Sequence, residues 1–213
     1  MRLINMNRLL IAVAGVALVL PGMVSPANAQ RTVGPAQPQP FKDTSMIKPP
    51  PGQKIAIYEF EDLECPACAL MHPIVVQAIQ HYKIAFVRRD FPLPMHIWST
   101  DAAIWARYLQ DKVSPAVAAD YRTAVFASQA GIGSKDDMLA FTRRFFQQHG
   151  LQMPFVVDPA GELRKEVFAD RAVGEKLGVS QTPTLFVCTP REWVLVTDRN
   201  QLFQTIDSVE SGH

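Results

Sequence analysis

The chain has 213 residues, with 21 Lys+Arg against 20 Asp+Glu for a formal net charge of +1, and three cysteines. That balance lacks the basic footprint of a nucleic-acid binder, and three cysteines are too few for a disulfide-stapled scaffold. The length suits one domain with a full core in addition to a leader.

Arg2 and Arg8 precede an apolar run from Leu9 to Leu20, which Pro21 and Gly22 break. Ala27-Asn28-Ala29 then supplies a small-x-small pattern before Gln30. Together these features predict a secretory signal peptide over 1–29, cleaved after Ala29, and so a periplasmic or otherwise exported protein. An uncleaved membrane anchor is the alternative; the run is shorter than the about 20 apolar residues a span needs. Removing 1–29 takes away two arginines and no acid, leaving 19 basic and 20 acidic residues and a net charge of −1. An exported chain meets an oxidising compartment, where a cysteine pair can be oxidised and pass that oxidation on. Residues 30–53 carry Pro35, Pro38, Pro40 and Pro49-Pro50-Pro51-Gly52 with few large apolar residues, and are expected to form a disordered, proline-rich tether.

The folded domain is expected over 54–213. Lys54–Phe60 is β-branched and aromatic and predicts a strand. Ala69–His81 places Leu70, Ile74 and Ala78 on one face, which is helical spacing. Lys83–Arg89 predicts a second strand. Ser99–Leu109, Ser114–Ala127 and Lys135–His149 predict three helices, with Ser99, Ser114 and Ser134 as N-caps. Asp158 is expected to cap a helix reaching about Leu177, followed by strands at Thr184–Val187 and Trp193–Thr197 and a helix over Arg199–Val209. A β-α-β half and a β-β-α half, separated by helices, predict an α/β fold with a mixed sheet.

Cys65-Pro66-Ala67-Cys68 falls between the first predicted strand and the first predicted helix. Two thiols at this spacing can close a small disulfide, and a helix N-terminus stabilises a thiolate. The arrangement therefore offers thiol–disulfide exchange.

Cys65-x-x-Cys68 with Thr182-Pro183-Thr184 before a later strand resembles the thioredoxin superfamily. Asp90-Phe91-Pro92-Leu93 followed by His96, the helical block, and Leu177-Gly178-Val179 narrow the resemblance to DsbA-type disulfide oxidoreductases. It covers 54–209 and implies a thioredoxin-like mixed sheet with a helical insertion at about 96–150. It further implies that Cys65 is the nucleophile, Cys68 the buried resolving thiol, and Pro66 and Ala67 the intervening pair of the redox motif. By the same resemblance Pro183 is cis and packs against the cysteines, and Thr182 touches the substrate backbone. Glu59 is then a buried acid beneath Cys68 that could relay its proton; a solvated charge at a strand end is the competing reading. The resemblance also places Pro73 as a proline inside the active-site helix.

The chain departs from the strongest oxidases of that family, which carry CPHC where this sequence has Ala67. Glu61, Asp62 and Glu64 also crowd the approach to Cys65, and a nearby carboxylate disfavours a thiolate. A milder oxidant is therefore expected. No metal or organic cofactor is implied, because the cysteine pair carries the two electrons itself. The implied partners are unfolded or folding exported proteins, with a DsbB-like or VKOR-like membrane protein to reoxidise the pair. Residues 30–53 are too short for the dimerisation domain of DsbC-like isomerases, which favours a monomer.

The function expected is the introduction of disulfides into exported proteins. A periplasmic reductase or isomerase on the same fold is the runner-up. A metal-binding exported protein using Cys65, Cys68 and a histidine lacks the second ligand pair a structural zinc site takes. A non-enzymatic chaperone on this fold would leave both cysteines without a use. Cys188 reads as a small buried hydrophobe, with a regulatory or intermolecular disulfide as the alternative; His96 reads as a packing or capping residue, with a substrate-facing role as the alternative; and Trp98, Trp105, Phe141, Phe145 and Phe146 read as core.

Overall fold

The computed structural model describes residues 46–212; the signal peptide expected over 1–29 and residues 30–45 of the expected tether lie outside the described residues. Strands β1 (Ala56–Glu61) and β2 (Ala85–Asp90) flank helix α1 (Pro66–Tyr82). Helices α2 (Ser99–Lys112), α3 (Pro115–Ser128), α4 (Lys135–Gln148) and α5 (Glu162–Lys176) follow. Strands β3 (Thr184–Cys188) and β4 (Trp193–Val196) and helix α6 (Leu202–Ser211) complete the chain. The sheet order is β2-β1-β3-β4, with β1 parallel to β2 and antiparallel to β3, and β3 antiparallel to β4. This is the α/β mixed sheet with inserted helices that the sequence predicts.

All six residues of β1 are buried, as befits a central strand covered on both faces. Its side chains alternate between those faces. Ile57 packs with Met71 and Val75 of α1 and with Leu202 and Ile206 of α6. Ala56, Tyr58 and Phe60 pack on the other side with Phe91, Phe186 and Cys188. Glu59 and Glu61 share the Ile57 face by period, which places two acids under α1 and the helical insertion. Gly174 lets α5 close on the sheet, because a Cβ there would lie 2.6 Å from the Phe91 ring.

Ile47 is fully buried within the Tyr58–Phe91 cluster, so the packed chain begins before the Lys54 boundary expected from sequence. A single apolar residue among prolines gives no period to detect.

The insertion has its own core of Trp98, Trp105, Leu109, Tyr121, Phe141, Phe145 and Phe146, which also takes in Leu63, Cys65 and Cys68. Ser114 and Ser134 cap α3 and α4 by accepting from the amides of Val117 and Asp137. Ser99 does not cap α2. It is the first helical residue, and Glu64 Oε2 accepts from the Trp98 and Ser99 amides at 2.6 and 2.9 Å. Asp158 reaches α5 from outside, accepting from the Leu163 and Arg164 amides, while the helix itself starts at Glu162. Among the described residues no helix is long and apolar enough to cross a membrane.

Candidate active site

The turn Asp62–Glu64 carries the chain from the end of β1 into α1, with Cys65 at the N-cap and Pro66 in the first turn. Proline suits that position because the first-turn N–H has no intrahelical partner anyway. The Cys65 sulfur donates to the Thr182 carbonyl at 3.3 Å, across 117 residues of sequence. The Thr182–Pro183 peptide bond is cis, and Thr182 is buried. Cys65 is 6% exposed and Cys68 1%, while Pro66 and Ala67 between them are exposed. All three cysteines are free thiols.

The two sulfurs are electrically unlike. A hydrogen bond from the Cys68 thiol does most to hold the Cys65 thiol down, to about 5, against the opposing effect of burial. The Thr182 side chain and the Cys68 and Ala67 amides add to it. Burial pushes the Cys68 thiol far up, and the Cys65 bond and charge push it further; the Asp62 amide, donating to the Cys68 sulfur at 3.4 Å, opposes them. One thiol is thus a ready thiolate and its neighbour a stubborn acid.

Glu59 is 1% exposed, on the central strand between Arg88 and Leu185 in register. The reading as a solvated strand-end charge is therefore excluded. Burial, then the Glu61 charge, pushes its carboxyl up to about 8, although Arg88 and Arg122 oppose this. Its Oε2 has no hydrogen-bond partner, and its charge raises the Cys68 thiol.

The acids expected to crowd Cys65 are engaged elsewhere. Glu61 Oε1 lies 2.7 Å from Arg122 Nη1 and 2.8 Å from Arg88 Nε. Asp62 Oδ2 accepts from the Leu93 amide at 2.7 Å and lies 2.7 Å from His96 Nδ1. Glu64 caps α2. None of the three figures among the causes of the Cys65 shift. Each of the three carboxylates is held by a partner of its own, so the crowding expected to make the pair a milder oxidant is not what the structure shows.

Arg122 was not foreseen, yet it anchors the insertion to the sheet. It is fully buried and bonds Glu61 and Asp90, each at 2.7 Å. Burial opposes its charge, but Asp90 and Glu61 outweigh that and keep the guanidinium protonated. Arg107 of α2 continues the network to Asp90 at 2.6 Å and to Asp170 of α5, which also bonds Arg89. A charged residue in the Ala118–Tyr121–Val125 stripe of α3 was the available signal. Gln129 was missed as well; its amide donates to the Leu63 and Cys65 carbonyls at 2.7 and 3.1 Å and steadies the turn.

Among the described residues no group of three or more His, Cys, Asp or Glu is placed to hold a metal ion. Cys188 is fully buried, and burial pushes its thiol up to about 12. His96 pairs with Asp62, and the five aromatic residues expected in the core are buried there.

A family model described as thioredoxin matches residues 51–189, well over half of the chain. The chain belongs to the thioredoxin family. Among solved structures, this thioredoxin-family chain is similar to the thiol-disulfide exchange protein alpha-DsbA2 from Wolbachia pipientis. The two are 21% identical over 76% of this chain and 85% of that one, with a TM-score of 0.59. DsbA2 of Pseudomonas aeruginosa is 18% identical over 76% and 92%, with a TM-score of 0.58. ScsC of Proteus mirabilis is 15% identical over 78% and 72%, also at 0.58. At these identities the likeness is one of fold, that of a DsbA-like thioredoxin-superfamily protein. No match is found among curated proteins.

Proposed function

We propose that this thioredoxin-family protein is an exported thiol:disulfide oxidoreductase that introduces disulfides into other exported proteins through Cys65 and Cys68. The observation that carries the reading is the asymmetry of the pair: Cys65, held down to about 5 at the helix mouth, beside a buried Cys68 whose thiol is pushed far up. A low thiol pKa stabilises the reduced protein, and a stabilised reduced form makes its disulfide a better oxidant. This favours the oxidase over a reductase or isomerase, and it offsets the absence of the CPHC histidine at Ala67.

In the oxidised protein a client thiolate attacks the Cys65 sulfur. The new bond joins client to Cys65, the Cys65–Cys68 bond breaks, and its electron pair stays on Cys68. A second client thiolate then attacks the client sulfur of the mixed disulfide. Cys65 leaves as the thiolate its surroundings favour, so the client is oxidised and the pair reduced. Glu59, with a carboxyl near 8, is the acid that would receive or return the Cys68 proton from below. Once Cys65 carries no proton it no longer donates to the Thr182 carbonyl, which is then left for an N–H of an extended client. Pro183 has no N–H to compete. The client class is unfolded or folding exported protein, and a DsbB-like or VKOR-like membrane partner would reoxidise the pair. The protein is expected to act as a monomer, its signal peptide removed after Ala29.

Cys65→Ser is expected to abolish exchange with a reduced, unfolded client, whereas Cys68→Ser should accumulate client mixed disulfides visible on a non-reducing gel. Failure of Cys68→Ser to trap any adduct would contradict the proposal. Equilibration with glutathione in a Cys188→Ala background separates the roles: a DsbA-like potential, near −120 mV, supports the oxidase, and a thioredoxin-like one, near −270 mV, the reductase.

A further inference from the structure

His96 lies on the segment joining β2 to α2, its side chain mostly covered, and its Nδ1 stands 2.7 Å from Asp62 Oδ2. A carboxylate only accepts, so the hydrogen lies on Nδ1. The same oxygen accepts from the Leu93 amide at 2.7 Å, and Asp62 Oδ1 accepts from the Glu64 amide at 2.8 Å. Three donors therefore fix a side chain that is itself 1% exposed. Its backbone is the part that meets the chemistry, because the Asp62 N–H points at the Cys68 sulfur, 3.4 Å away. The Asp62 carbonyl meanwhile accepts from the Cys65 amide at 3.0 Å. One peptide unit on each side of Asp62 thus touches the cysteine turn, and the His96 ring holds the side chain between them.

We propose that His96 is a positioning residue for the exchange reaction: by gripping the Asp62 carboxylate it aims the Asp62 amide at the Cys68 sulfur. The inference rests on the exchange reading given above. When a client thiolate attacks Cys65, the Cys65–Cys68 bond breaks and its electron pair collects on Cys68. In the reverse step the same pair leaves Cys68 to re-form that bond. Both directions share a transition state with developing negative charge on a sulfur that is 1% exposed, packed against the apolar core of the insertion and within reach of the Glu59 charge. A fixed N–H aimed at that charge stabilises the transition state more than either end state, in the manner of an oxyanion-hole donor. The stable end states gain less, because Cys68 is neutral in both: one half of a disulfide, or a thiol that donates to Cys65. His96 thus belongs to the rates of exchange rather than to the equilibrium.

The experiment is stopped-flow oxidation of a reduced dithiol peptide by oxidised protein, and its reverse, in wild type, His96→Ala and His96→Asn, all in a Cys188→Ala background. The asparagine side-chain nitrogen overlies Nδ1 and keeps a donor for Asp62. The expected result is a tenfold or greater slowing in both directions for His96→Ala, a near wild-type rate for His96→Asn, and a glutathione equilibrium constant within twofold of wild type in all three. A wild-type rate for His96→Ala overturns the inference. So does equal slowing in both variants, or an equilibrium constant that moves as far as the rates. If His96→Ala does not fold, His96→Gln carries the same prediction, since its longer amide overlies Nε2 and misses Asp62. Exchange by the wild type alongside an unaffected His96→Ala would remove the role of His96 and leave the proposed function standing. Absence of exchange in the wild type would remove both.

Discussion

Glu59 shows how one residue can be legible in part. The family resemblance, read at its spacing before Cys65, implies an acid under the redox pair, and burial with a carboxyl near 8 agrees with that placement. Spacing gave no hint that Glu61, two residues on and on the same face, supplies the repulsion that helps keep it protonated. The raised value has a consequence for stability. An acid whose folded value exceeds its unfolded one holds a proton in the native state that the unfolded chain has released. Stability from this group is therefore full below about 4.5 and declines as pH rises towards 8. Glu59→Gln removes that dependence. Urea unfolding should find the variant close to wild type at pH 5 and more stable by about 4 kcal/mol at pH 8.5. It should also slow attack by Cys68 on mixed disulfides, because the proton acceptor is gone. Equal stability of the two proteins at both pH values would contradict the buried, protonated acid.

The elements were the most legible part of the chain. Alternation and β-branching gave both halves of the sheet, and serine N-caps gave the starts of α3 and α4. The start of α2 was misread because its cap is a glutamate 34 residues upstream, a long-range contact that no local pattern records. The attachment of the insertion to the sheet was hidden for the same reason: Arg122 of α3 meets Glu61 of β1 and Asp90 of β2 only once the chain is folded. Removing one member of a buried ionic network leaves its partners desolvated and unpaired. Arg122→Ala is thus expected to cost about 3–5 kcal/mol, read as a lower denaturant midpoint. Arg122→Lys should recover only part of that, because an ammonium lacks the flat fork that spans two carboxylates. A loss under ~1 kcal/mol for Arg122→Ala would show that Arg107 alone suffices to hold Asp90.

Taken together, the fold brings to one point what the sequence holds apart. Residues 65 and 68 lie on one side of the helical insertion and residues 182 and 183 on the other, and β1–β3 pairing closes the gap. The resemblance carried by those motifs implies this meeting, whereas local signals alone give only the strand, the helix and the proline loop. The electrostatics were not foreseeable, since they depend on which way Glu61, Asp62 and Glu64 turn, and each turns toward a partner distant in sequence. With those charges occupied, the character of Cys65 follows from Cys68, Thr182 and the helix amides. Site-resolved alkylation of the reduced protein across pH, followed at Cys65 by mass spectrometry, reads that character directly. The thiolate should appear with a midpoint near 5 and be absent from Cys68 throughout the stable range. A Cys65 midpoint near 9, the ordinary thiol value, would contradict the stabilised thiolate and the exchange chemistry built upon it.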